Sequence, residues 1–311
     1  MISQYLELPD LAFITDGKDF HSYELGYHTK WAEEEIYDFS QFDIALVGVK
    51  ESRAAGFKNL GSDLAPDEIR KHFYRLYSAS SFPQLVDLGN IIDAETVGES
   101  YETLETVLNY LYKNGVTVLI LGGSQDLTYS QFVSFENVEE NISMLLVDER
   151  IDLIQGQEQV TSDGFLQHIL TRSHPQLYHM SILGVQAYYS NPQVLDVLNS
   201  MSYNHFRLGQ LRYNLQNFQH VFRMSDMVSL DVSCVKQSDA PARGMQTPNG
   251  FLSDEFCQLA RYSGMSDKVK SFGIYEVNPQ LDIRYLTAQL AAQALWYFME
   301  GYSYRTGEHP L

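Results

Sequence analysis

Eight short apolar runs, spread along the chain and separated by segments of helical period, constrain this sequence more than any other feature. They occupy residues 44–49, 85–88, 116–121, 142–147, 179–185, 205–208, 227–232 and 271–277. Most are rich in Val, Ile or Leu without strict alternation, the pattern of strands buried on both faces. Between them lie amphipathic stretches. Ile69, Phe73, Leu76 and Tyr77 form one apolar stripe, behind a first turn of Pro66, Asp67 and Glu68 that favours a helix start. Leu104, Val107, Leu108 and Leu111 form another, ended by Gly115. Leu286, Leu290, Ala294 and Phe298 mark a long last helix over about 284–301. Strand and helix in alternation predict an α/β fold: one three-layer α/β/α domain over residues 1–311, with an eight-stranded, mostly parallel sheet. No Pro/Gly/Ser-rich linker or internal repeat divides the pattern.

Charge narrows the partners. With 21 basic and 40 acidic residues the formal net charge is -19. Such a chain repels phosphate backbones and anionic bilayers, so neither nucleic acid nor membrane is expected as a partner. No apolar stretch approaches the roughly 18 residues of a membrane span. The first twenty residues carry Asp10, Asp16 and Asp19 against Lys18 alone, unlike a signal peptide. Two cysteines, Cys234 and Cys257, make no disulfide framework and point to a reducing compartment. The expectation is a cytoplasmic protein.

In an open parallel sheet, ligands bind beyond the carboxyl ends of the strands, so polar clusters directly after apolar runs are the places to look. Gly122-Gly123-Ser124-Gln125-Asp126 reads first as a strand-to-helix turn, since its spacing fits no phosphate-binding loop. Asp148-Glu149-Arg150-Ile151-Asp152, taken alone, reads as a solvated loop, and Asp231 as a turn former. Together they say more. Asp148, Asp152 and Asp231 at the ends of two strands on one rim would repel one another, so a cation should sit among them.

Taken in order, these clusters resemble the motifs of the ureohydrolase family, which comprises arginases, agmatinases and formiminoglutamases, and the formiminoglutamases most. Asn59-Leu60-Gly61 followed by Ala65-Pro66-Asp67-Glu68-Ile69-Arg70 is similar to the N-terminal signature. Gly122-Gly123-Ser124-Gln125 stands where the family has Gly-Gly-Asp-His, and 148–152 where it has Asp-Ala-His-x-Asp. Ser229-Leu230-Asp231-Val232-Ser233 stands for Ser-x-Asp-x-Asp, and Ala240-Pro241-Ala242-Arg243-Gly244 for a Pro-Gly-rich loop. Glu276-Val277-Asn278-Pro279, ahead of Thr287-Ala288-Gln289, resembles the C-terminal motif.

The resemblance implies an amidine hydrolase in which two Mn²⁺ ions, held by two His and four Asp, activate a bridging hydroxide. This chain keeps Asp148, Asp152 and Asp231, but has Gln125 and Arg150 for the two His and Ser233 for an Asp. Glu276 matches the carboxylate that faces the cationic substrate. The implied metal site is then Gln125, Asp148, Asp152 and Asp231, holding one Mn²⁺, Mg²⁺ or Ca²⁺ or none, rather than a dinuclear manganese pair. Arg150, with Ser233, takes the place of the second metal, its guanidinium bridging Asp148 and Asp231. The plainer alternative is that Arg150 points to solvent. No catalytic residue is assigned: His168 and His174 lie near the second motif but match no catalytic place. These departures predict a metal-deficient, non-catalytic homologue. The alternatives are an active hydrolase of a guanidino or formimino C–N bond at an altered, mononuclear site, and an unrelated small-molecule binder. The resemblance further implies a small cationic or amidine ligand and a homo-oligomer, trimer or hexamer.

Overall fold

The computed structural model describes residues 2–32, 38–136, 138–173, 176–244 and 247–307, the side chains of 56–58 excepted. All eight apolar runs are strands: β3 (Ile44–Gly48), β4 (Leu85–Ile91), β5 (Thr117–Leu121), β6 (Ile142–Val147), β7 (Leu177–Val185), β8 (Asn204–Arg207), β9 (Met227–Asp231) and β10 (Ser271–Tyr275). Two further strands of two residues each, β1 (Leu6–Glu7) and β2 (Lys30–Trp31), pair with β4, so the sheet has ten strands rather than eight. Both are too short to carry a hydrophobic period, and the sequence pattern passes over them. Strand order is β1-β4-β3-β5-β10-β9-β6-β7-β8, and among the paired strands β1 alone is antiparallel.

The sheet separates two cores. Ile44 and Leu46 of β3, Leu119 of β5 and Leu145 of β6 face one; Ala45, Val47, Ile120 and Leu146 face the other. The helices Ala65–Phe73, Ser253–Met265 and Leu286–Tyr302 cover the first face, and Val97–Lys113, Leu127–Val133 and Phe165–Leu170 cover the second. Two-sided burial explains why the strands read as continuous apolar runs. Within the first layer, Asp87 of β4 and Arg70 are both fully buried and paired through two hydrogen bonds of 2.8 and 3.0 Å. This ion pair fixes the helix Ala65–Phe73 to the sheet.

Two stripe positions differ from expectation. The first helix stops at Phe73, so Tyr77 lies past its end and is exposed. Leu286 opens the last helix at the rim and is also exposed, whereas Leu290, Ala294 and Phe298 are buried, with the Phe298 ring 4.7 Å from that of Phe272 on β10. Among the described residues no helix is long and apolar enough to cross a membrane.

Leu290→Asp places a charge in this core, so equilibrium unfolding should show a loss of roughly 3 kcal/mol or more. A wild-type-like transition would mean that the helix packs otherwise. A second test uses pH. Burial pushes the Glu105 carboxyl, on the helix Val97–Lys113, up to about 7. The folded state therefore binds this proton more tightly than the unfolded chain does. Glu105 is tolerated best at low pH and opposes folding increasingly as pH rises from the ordinary carboxylate range through about 7. Glu105→Gln should accordingly melt higher than wild type at pH 8, with the difference shrinking towards pH 4.5; a difference independent of pH would refute the assignment.

Candidate functional site

Strand order turns four distant motifs into neighbours. β5, β10, β9 and β6 lie side by side at the centre of the sheet and run in the same direction. Their carboxyl ends therefore share one rim. Val147 pairs with Leu230 and Tyr275 with Asp231, which brings Asp148, Asp231 and Glu276 to one level of that rim. Adjacent strands are about 4.8 Å apart, so carboxylates that follow them must meet.

They meet around a cavity of about 60 Å³, lined by Asn59, Gln125, Asp148, Asp152, Asp231, Glu276 and their neighbours. That volume holds a few water molecules or one small ion. Six carboxylates line it (Asp148, Glu149, Asp152, Asp163, Asp231 and Glu276) against two guanidinium groups, Arg150 and Arg243. Burial pushes the Asp148 carboxyl up; hydrogen bonds from Asp152 and from the Arg150 amide, the latter at 2.9 Å, pull the other way. Asp152 is pushed up further, by burial and by the charge of Asp148, so the two acids are best satisfied sharing a proton. Asp231 is raised by burial and by Asp148 and Glu276, with Arg243 opposing. Its Oδ1 accepts a hydrogen bond from the Ser233 amide at 2.6 Å.

Glu276 is a brace as much as a wall. Its Oε1 accepts from the Gln125 amide at 2.7 Å and from Ser162 Oγ at 3.0 Å, and its Oε2 accepts from Asn59 Nδ2 at 2.6 Å. Its own amide donates to the Gly123 carbonyl at 2.8 Å. Three of roughly four acceptor positions are thus spent inside the protein, tying together the loops after β3, β5 and β6. Gly122 and Gly123 serve the same packing. A Cβ on Gly123 would lie 1.8 Å from the Glu51 carbonyl oxygen, and one on Gly122 would lie 2.1 Å from the Tyr275 ring. The turn is a close approach of backbones, as its plainer reading had it.

Gln125, Asp148, Asp152, Asp231, Ser233 and Glu276 all line the cavity. Arg150 also lines it, but its guanidinium does not bridge Asp148 and Asp231. Only its backbone amide bonds Asp148; the guanidinium lies 3.4 Å from Glu149 and stacks 4.8 Å over the Tyr189 ring. The physical reason is local. Asp148 turns to take the backbone N–H two residues on, and the aromatic face from the loop after β7 offers the long side chain a better seat. The residue that enters among the carboxylates is Arg243, buried to 4% exposure. Its Nη2 donates to Glu149 Oε1 at 2.6 Å and its Nη1 to the Ser233 carbonyl. In sequence it was visible only as one member of a Pro-Gly-rich loop. A basic residue there, just after the third motif, was the available signal.

Histidine is missing from the cavity lining among the described residues. His168 sits outside it, its Nε2 3.0 Å from the Gln159 carbonyl, and His174 lies outside the described residues. No three His, Cys, Asp or Glu side chains among the described residues are disposed as a metal shell. Buried polar atoms of the lining without a hydrogen-bond partner among the described residues include Asn59 Oδ1, Gln125 Nε2 and Glu149 Oε2. Groups of this kind are normally satisfied by water or a ligand.

If Glu276 is a brace, Glu276→Ala leaves the buried Gln125 amide unpaired and leaves Asn59 Nδ2 and Ser162 Oγ with one partner each, the Glu276 carbonyl and Asp126, and should cost about 1–3 kcal/mol in chemical denaturation. A cost within about 0.5 kcal/mol would identify a carboxylate that faces ligand only.

Known proteins with this arrangement agree on the family. Residues 42–300 match the family model described as the Arginase family. The formimidoylglutamase of Bacillus subtilis (strain 168) is 24% identical over 277 residues, covering 83% of this chain and 86% of that protein. That of Legionella pneumophila (strain Lens) is 22% identical over 244 residues, covering 75% and 76%. Among solved structures, the Bacillus subtilis formimidoylglutamase superposes with a TM-score of 0.83 at 19% identity, over 93% of this chain and 96% of that one. A Trypanosoma cruzi formiminoglutamase with Mn²⁺ gives 0.79 at 18% identity, over 87% and 97%. This chain therefore belongs to the arginase family, as a formiminoglutamase-like member.

Proposed function

We propose that this chain is a metal-deficient, non-hydrolytic member of the family that uses the cavity to bind a small ligand. One observation carries the reading: the donor set of the cavity. A pair of Mn²⁺ ions brings four positive charges and needs a full set of carboxylate and imidazole ligands to replace its water. Here the described lining offers an amide at Gln125, a guanidinium stacked on Tyr189 at Arg150 and a hydroxyl at Ser233. The residues present do not fit a dinuclear manganese centre. What remains is a polar chamber with unsatisfied acceptors on Asn59 and Glu149. Its excess of carboxylates favours a small cationic or amidine ligand.

A second reading, a hydrolase with a single divalent ion, draws support from the convergence of Asp148, Asp152 and Asp231 with Glu276 on one cavity. The two readings separate in one assay. Purified protein, with and without Mn²⁺, is incubated with arginine, agmatine, guanidinobutyrate or formiminoglutamate. The expected outcome is no urea, putrescine or formamide above the buffer control. Turnover that scales with added Mn²⁺ establishes the second reading in place of the first.

A further inference from the structure

The cavity presents a problem of charge that the proposed function leaves open. Six carboxylates line a space of about 60 Å³, and buried carboxylates at such spacing need a counter-charge or protons. In the relatives solved with Mn²⁺ a metal is present. In this chain a side chain reaches the same kind of rim from within.

We propose that Arg243 is the resident cation of this cavity: its guanidinium supplies the positive charge that the clustered carboxylates require and excludes a divalent ion from the wild-type protein. Both ends of the guanidinium are engaged, Nη2 on Glu149 Oε1 at 2.6 Å and Nη1 on the Ser233 carbonyl. Glu149 is fully buried, so withdrawing Arg243 leaves its charge with only the longer 3.4 Å contact to Arg150 Nε in a low-dielectric site. The residue before the arginine is pinned through both its amide and its carbonyl. The Ala242 amide donates to Thr287 Oγ1 at 2.9 Å, and the Asn278 amide donates to the Ala242 carbonyl at 2.9 Å. These bonds fix the backbone from which the arginine side chain projects. Its charge also reaches Asp148 and Asp231, where it opposes the upward push of burial. A divalent ion placed among the same carboxylates would meet the positive group whose charge already reaches Asp148 and Asp231, in a setting where water screens poorly. Arg150 adds charge at the same carboxylate, its Nε 3.4 Å from Glu149 Oε1, but its guanidinium is held against the Tyr189 face.

The inference goes beyond the proposed function, since it concerns what neutralises the cavity and not whether substrate is cleaved. The test is metal occupancy. Wild type, Arg243→Ala and the charge-neutral double variant Glu149→Gln/Arg243→Met are dialysed against MnCl₂ and then against buffer. Manganese per chain is measured by elemental analysis, and melting temperature is followed with and without 1 mM MnCl₂. Wild type should retain less than about one Mn²⁺ per ten chains and shift by under about 1 °C. The variants should retain Mn²⁺ and melt roughly 3 °C or more higher with it. If Arg243→Ala does not fold, the double variant, which strands no charge on Glu149, carries the comparison. Wild type that keeps one or two Mn²⁺ per chain overturns the proposal. So do folded variants that respond no more than wild type. Turnover by metal-free wild type would refute the proposed function and leave this inference standing; metal-loaded but inactive wild type would do the reverse.

Discussion

Parallel strands end together, and the rest of this structure follows from that constraint. With β5, β10, β9 and β6 adjacent and codirectional, whatever polar residues follow them are delivered to one rim. Asp148, Asp231 and Glu276 cannot avoid one another there. The sheet is stabilised by apolar burial on both faces, which dictates the register and leaves the rim no freedom to spread its charges. The electrostatics of the cavity are therefore imposed by the hydrophobic fold and must be settled locally.

They are settled by three devices. Protein donors engage the carboxylates: Gln125, Ser162 and Asn59 on Glu276, the Ser233 amide on Asp231 and the Arg150 amide on Asp148. Burial raises the acids, so that Asp148 and Asp152 are held towards sharing a proton. A buried guanidinium, Arg243, brings in opposite charge. The first device also has a mechanical consequence, because Glu276 laces the loops after three other strands to its own. Catalysis of the family type would instead place metal ions at such a rim and keep an open position for substrate.

Much of the fold was legible in the sequence, because a strand buried on both faces writes its burial into consecutive residues. Ile142–Val147 was readable to the residue, and Leu104, Val107, Leu108 and Leu111 sit in the core as their period requires. The two-residue strands β1 and β2 were not legible, having no period to show. Nor was strand order, which decides that positions near 122, 148, 231 and 276 form one site; the family resemblance supplied that step. Asp148, Asp152 and Asp231 followed from their strand ends and Glu276 from the resemblance, whereas Glu149 and Asp163, which also line the cavity, were given no role. The roles of the arginines did not. Arg150 sits between two aspartates in sequence, yet its guanidinium meets Glu149 and the ring of Tyr189, placed beside it by the loop after β7. Arg243 sits in a loop with no periodicity, and only the bracing by Thr287 and Asn278 aims it inward. Side-chain direction in a loop is set by tertiary contacts, which local sequence does not encode.

The claim on which this account turns is that a guanidinium, and not a metal, neutralises the rim. The most direct measurement is a crystal structure of the wild-type protein grown in MnCl₂, with an anomalous difference map collected at the manganese edge. The account predicts no anomalous peak among Asp148, Asp152 and Asp231, with Arg243 seated on Glu149 and the Ser233 carbonyl. An anomalous peak bonded to Asp148 and Asp231, with Arg243 displaced from the cavity, would contradict it.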